Sequence, residues 1–265
     1  MCELLGISFN RPVSAEISIQ AFGQRWTENA HGWGLGWYPD ASLALVKEPL
    51  PWGKTPYSKF LETYEEIRAA TYVAHVRHRT TGGNPVHRDT HPFTREWQGR
   101  DYCFAHNGTL REYGSQLALD WYHPVGDTDS EHLFCWLLNR LATVGNSLEE
   151  LADWLELQRF LRQANELGKL NCLLTDGQRL FAYRDLQQWK GLMYQAGRHS
   201  PISGAAPLHD EAVHVEIDPE QATESVVVAT SPLNDDAWRP IPPGTLLAVE
   251  EGRVIFSAEE RRSAH

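Results

Sequence analysis

The chain alternates short apolar runs with polar breaks. Cys2 to Phe9 is almost continuously apolar and reads as a buried strand, ended by Asn10-Arg11-Pro12. Pro12 to Trp26 carries Ile17, Ile19, Ala21 and Phe22, which predicts a helix. Gly32 to Tyr38 reads as a strand whose glycines let another backbone come close. Leu43 to Val46 returns as its hairpin partner, and Pro56 to Ala69 predicts a second helix. In the strand Tyr72 to Arg77, period-two geometry puts Val73, His75 and Arg77 on one face. A loop from Arg79 to Arg88 follows. Tyr102 to His106 is a further strand, stopped by the turn signal Asn107-Gly108.

The second half opens on helices. Thr128-Asp129-Ser130-Glu131 fits a capping box, followed by an apolar stripe of Leu133, Leu137 and Leu141 with Phe134 and Leu138. Ser147 to Glu150 starts another helix by the same rule, running to about Leu167 before Gly168. Strands are expected at Asn171–Thr175, Arg179–Arg184, Trp189–Gln195, Ser225–Ala229, Thr245–Val249 and Arg253–Ser257, with Asp176-Gly177 as a hairpin turn. Arg198 to Pro207 reads as a surface loop. No repeat, low-complexity tract or linker divides the chain, so one α+β domain over residues 1–265 is expected.

Charge narrows the partners. Lys and Arg number 24 against 35 Asp and Glu, a net charge of −11, without a basic run. That disfavours nucleic acid and anionic membrane surfaces. Ten Trp, nine Tyr and nine Phe mark a folded chain. Cys2, Cys103, Cys135 and Cys172 match no zinc spacing, so a reducing compartment is the simplest fit. The chain shows no signal peptide and no apolar stretch of membrane-spanning length, and a cytoplasmic location is expected.

Cys2 carries the sharpest chemical possibility. Methionine aminopeptidase removes Met1 when the next side chain is small, which would leave a thiol and a free α-amine on one residue. Taken alone, Cys2 reads as a small buried hydrophobe. Four stretches change that reading: Met1-Cys2, Ala74-His75-Val76-Arg77-His78-Arg79-Thr80-Thr81-Gly82, Ala105-His106-Asn107-Gly108-Thr109-Leu110, and Gly126-Asp127-Thr128-Asp129-Ser130-Glu131. In this order they resemble the class II glutamine amidotransferases, which are N-terminal-nucleophile hydrolases. Gly32-Trp33-Gly34, His91 to Glu96 (HPFTRE) and Ala229 to Leu233 (ATSPL) extend the likeness to the compact, free-standing YafJ type. Each motif alone is weak, and the ordered set is strong.

The resemblance implies the four-layer αββα sandwich of the N-terminal-nucleophile hydrolases. It also implies roles. Cys2 would form a γ-glutamyl thioester, with its α-amine shuttling the proton. Asn107 and Gly108 would form the oxyanion hole. Arg77 would clamp the substrate α-carboxylate and Asp129 the α-ammonium, with His78 and Thr80 beside them. Each has a plainer reading: an Asn-Gly turn, a sheet arginine in a salt bridge, a carboxylate complementing a helix dipole. Departures from the fused members fall at His78 and Thr81, and Arg79 stands where the pattern has Ala. No cofactor and no metal is implied: His75 and His78 would face opposite sides of a strand, and HExxH is absent. The substrate would be glutamine or a larger γ-glutamyl compound, relatives of this branch being linked to γ-glutamyl bond cleavage. A protein partner could accept the ammonia. A non-catalytic binding or regulatory subunit is the alternative from another class.

Overall fold

The computed structural model describes residues 2–17, 31–51, 55–64, 67–77, 86–199, 213–216, 223–233 and 237–257. Its strands are β1 (Glu3–Ile17), β2 (Trp33–Trp37), β3 (Ala44–Glu48), β4 (Arg68–Val76), β5 (Phe93–Trp97), β6 (Arg100–Leu110) and β7 (Gly168–Thr175). They continue as β8 (Arg179–Tyr183), β9 (Met193–His199), β10 (Val213–Glu216), β11 (Thr223–Ala229), β12 (Arg239–Pro240), β13 (Leu246–Glu250) and β14 (Arg253–Phe256). The main helices are α1 (Pro56–Thr63), α2 (Asp129–Val144) and α3 (Leu151–Asn165), with a single helical turn at Tyr113–Gln116.

Alternation along the strands builds two sheets. The first runs β12-β9-β11-β1-β4-β2-β3, with β10 against the far end of β1. The second runs β14-β13-β8-β7-β6-β5. Leu4, Val73, Ala105, Leu173, Val226 and Val228 interdigitate between the sheets. The opposite face of β1, with Leu5, Ile7 and Phe9, packs with Trp33, Tyr72 and Leu61 of α1. The outer face of the second sheet packs Phe104, Leu174 and Phe181 against Phe134, Leu137, Leu157 and Phe160 of α2 and α3. Both faces of β1 are therefore buried, which is why Cys2 to Phe9 lacks period-two alternation. Helix, sheet, sheet, helix is the αββα order of an α+β fold.

Several boundaries differ from expectation for reasons of pairing. β1 does not stop at Asn10-Arg11-Pro12. After a register break between Ser8 and Val13 it pairs on to Val13↔Ala69 and Ser14↔Glu216. The helix expected from Pro12 is thus strand as far as Ile17, and residues 18–26 lie outside those described. α1 ends at Thr63, because Ile67 and Ala69 are buried with Val13 on the outer face of the first sheet. β6 runs straight through Asn107-Gly108, which pair with Asn171 and Leu170 and form no turn. β9 begins at Met193, leaving Trp189 to Gly191 as a loop, and extends over Arg198 and His199; the rest of the expected loop to Pro207 lies outside the described residues.

The helix caps also divide. Thr128 Oγ1 accepts the Glu131 N–H at 3.1 Å, as predicted. The return half of the box is absent, since the Glu131 carboxylate accepts from Val125 and Gly126 instead. α3 starts at Leu151, and Asp153 takes over the capping by accepting from the Ser147 hydroxyl at 2.8 Å and from the Glu149 N–H at 3.1 Å. Asp176-Gly177 does turn β7 into β8, with Gly177 at φ +86° and no room for a Cβ against Tyr38. No helix among the described residues is long and apolar enough to cross a membrane.

Candidate active site

Cys2 stands just before the central strand of the first sheet. It is partly exposed, whereas Cys103, Cys135 and Cys172 are buried. Asn107 projects from β6 toward the first sheet, and its Nδ2 donates to the Cys2 carbonyl at 2.6 Å. One N–H of that amide is engaged, and an Asn amide has two. Gly108 follows on the same strand. A Cβ there would lie 1.9 Å from the Lys169 carbonyl oxygen and 2.4 Å from His106 Nε2, so only glycine fits. The strand that carries Asn107 is locked by His106, whose ring bridges the Ser130 hydroxyl (2.9 Å) and the Lys169 carbonyl (3.1 Å). A carbonyl only accepts, so Nε2 carries the proton and Nδ1 accepts from Ser130.

Arg77 follows β4. Glu3 pairs with Val76, and extending that register by one residue sets Arg77 opposite Cys2. Its backbone is held by His31 and Gly32, and its guanidinium donates to the Asp89 carbonyl at 2.7 Å. The Asp89 carboxylate in turn accepts the Asp127 N–H at 3.0 Å. Arg77 is thereby tied to the segment leading into α2. Asp129, the first residue of α2, accepts the Leu110 N–H at 2.7 Å, which joins it to the end of β6. Asn107 is thus bonded to Cys2, Gly108 adjoins Asn107 on β6, Arg77 stands opposite Cys2 by register, and Asp129 is bonded to the end of β6. His78 and Thr80 lie outside the described residues.

Sequence reading overlooked the supports. Glu3 is buried, and its carboxylate accepts from Thr230 Oγ1 and from Lys190 Nζ, the latter at 3.2 Å. Lys190 also donates to the Cys2 carbonyl at 3.2 Å. Thr230 is the Thr of the ATSPL stretch, and exchanges backbone and hydroxyl bonds with Leu4. In HPFTRE, Arg95 pairs with the buried Glu131 at 2.5 Å and so fixes the loop before Asp129. The GWG glycine Gly34 lies against His91 and Pro92, with a Cβ excluded at 2.2 Å. The motifs themselves were the available signal; the partners were not readable from spacing.

Three histidines, His75, His91 and His106, are buried. His91 stacks on His75 with centroids 4.2 Å apart. Burial, then the nearby Arg77 and His106, pushes His75 down to about 3. Burial also holds His91 and His106 below the ordinary histidine value. The folded chain therefore refuses protons that the unfolded chain binds between pH 6.5 and about 3, so stability is full above pH 6.5 and declines as pH falls. Urea unfolding should show a loss of roughly 2 kcal/mol from His75 between pH 6.5 and 5, with His91 and His106 adding in the same direction. A His75→Phe/His91→Phe variant should show a shallower decline, and a slope equal to wild type would refute the assignment.

Residues 1–265 match the family described as Glutamine amidotransferases class-II. The Escherichia coli protein YafJ is 35% identical over 255 residues, covering 92% of this chain and 95% of YafJ. The crystal structure of a predicted glutamine amidotransferase from Pseudomonas aeruginosa superposes with a TM-score of 0.73 at 28% identity, covering 96% of this chain and all of that one. Glutamine phosphoribosylpyrophosphate amidotransferase from Bacillus subtilis shares the fold at a TM-score of 0.56 and 15% identity, over 95% of this chain and 48% of its own. With a family match over the whole sequence and a relative 35% identical over 92% of it, this chain belongs to the class II glutamine amidotransferases.

Proposed function

We propose that this protein hydrolyses the γ-amide of glutamine, or of a related γ-glutamyl compound, through a thioester on Cys2. The observation that carries this reading is the bond from Asn107 Nδ2 to the Cys2 carbonyl, which ties an amide donor to the residue that carries the partly exposed thiol. With Met1 removed, the α-amine of Cys2, with an ordinary pKa of about 7.7–8.0, takes the thiol proton as Sγ bonds the carbonyl carbon of the γ-carboxamide. The carbonyl oxygen becomes an oxyanion, received by the second N–H of Asn107 and the backbone N–H of Gly108. The C–N bond then breaks, and the proton on the amine passes to the departing nitrogen as ammonia forms. Water adds to the thioester, the amine again takes a proton, and the C–S bond breaks to release glutamate and restore the thiol.

In this reading Arg77 clamps the substrate α-carboxylate, since a guanidinium fork matches a carboxylate in two parallel bonds. Asp129 receives the α-ammonium with the acceptor capacity left beyond Leu110 and Ser130. His78 and Thr80 are the further substrate-binding candidates of this reading. The ammonia goes to water or to a partner protein's acceptor. Purified protein is expected to release glutamate and ammonia from glutamine. Arg77→Ala should raise KM on the order of 10²-fold, with a smaller effect on kcat, because a charged hydrogen-bonded pair is lost from binding. Unchanged kinetics would remove Arg77 from the clamp. No turnover of glutamine or of γ-glutamyl amides by the wild type would favour the non-catalytic alternative.

A further inference from the structure

We propose that Lys190 is a positioning residue of the nucleophile, its ammonium fixing the Cys2 carbonyl and electrostatically favouring the deprotonated forms of the Cys2 thiol and α-amine. The side chain is only 11% exposed and that of Glu3 only 4%. Nζ donates both to Glu3 Oε1 and to the Cys2 carbonyl, at 3.2 Å each. Trp189 backs it, with Nζ 6.0 Å from the ring centroid, and is itself anchored through its N–H to Asp185. Thr230 holds the other oxygen of Glu3 and binds Leu4, so the unit is tied to the root of β1.

Stability does not account for such a pair. Withdrawing two charges from water costs about as much as their attraction returns, and a packed apolar pair does as well or better. What the pair does achieve is geometric and electrostatic. Asn107 and Lys190 together grip the Cys2 carbonyl, which restrains the rotation that aims the thiol and the amine. A nearby cation disfavours an ammonium and favours a thiolate. The other titratable or polar groups on the adjoining elements are Arg77 at the end of β4, opposite Cys2 by register, His75 of β4, paired with Leu4 and held neutral by burial, Asn107 of β6, bonded to the Cys2 carbonyl, and Asp129 at the start of α2, bonded to the end of β6. They are common to every variant below. Glu3 opposes Lys190, so their removal should act with opposite signs.

The proposal rests on the reading of Cys2 as nucleophile, but its test needs no substrate. Iodoacetamide alkylation of Cys2 is followed against pH, with intact mass recording loss of Met1 and peptide mapping excluding the three buried thiols. Lys190→Met is expected to move the alkylation profile up by about one pH unit, a roughly tenfold slower reaction at pH 7. Lys190→Arg should restore it to within a few tenths. Glu3→Gln, which keeps the shape and the acceptor for Thr230, should move the profile down. A profile unchanged in folded Lys190→Met overturns the proposal. If that variant does not fold, Glu3→Gln decides, and an unchanged or raised profile overturns it. Shifted profiles in a protein that turns over no γ-glutamyl amide would defeat the proposed reaction and leave the Lys190 assignment standing.

Discussion

Cys2→Ala should abolish glutamate release from glutamine, by at least about 10⁴-fold, because the step that splits amide hydrolysis in two loses its nucleophile. No other thiol can stand in. Cys103, Cys135 and Cys172 are at most 1% exposed, and burial pushes Cys103 up to about 12 and Cys135 up to about 11. Alanine at position 2 is small enough for Met1 still to be removed, so wild type and variant can be compared with the same processed terminus. The substitution removes a partly exposed side chain and should change stability by no more than about 0.5 kcal/mol. Glutamate release surviving in a correctly processed Cys2→Ala protein would place the reaction elsewhere.

The second large effect is expected at Asn107. Replacement by alanine removes the donor proposed for the oxyanion and should lower kcat by about 10²–10³-fold. KM should move far less, which separates this residue from Arg77. Because Asn107 is buried and bonded to the Cys2 carbonyl, its loss should also destabilise the fold by about 1–3 kcal/mol. Thermal unfolding therefore has to be recorded beside the kinetics. Asn107→Asp is the stricter test, since it keeps the shape and turns the donor into an acceptor facing both the Cys2 carbonyl and the developing charge. A fall of less than tenfold in either variant, with the protein folded, would remove Asn107 from the oxyanion hole.

Local rules made part of this protein legible. Thr128 caps α2 as its sequence pattern requires, the stripe of Leu133, Leu137 and Leu141 is buried, and Asp176-Gly177 turns the hairpin. The resemblance supplied the layering and the candidate roles of Cys2, Arg77, Asn107, Gly108 and Asp129. What failed were local signals overruled by pairing partners. Asn107-Gly108 looks like a turn in isolation, but β7 lies alongside and keeps both residues in the ladder. Pro12 looks like a helix start, but β4 and β10 hold the chain extended. The supports of Cys2 could not be read at all, because Lys190 is 187 residues from Glu3 and Thr230 is 227 residues from it. No periodicity connects such positions. Only the fold does.

The central place of β1 has a consequence for the order in which the protein is made. β1 is synthesised well before either neighbour, β4 or β11, and 227 residues separate Glu3 from the hydroxyl that binds it. At roughly 5–20 residues per second, that interval is about ten seconds or more. During it the segment behind Cys2 has no completed sheet to enter. The contact between Glu3 and Thr230 can form only when β11 closes against a strand that has waited for it.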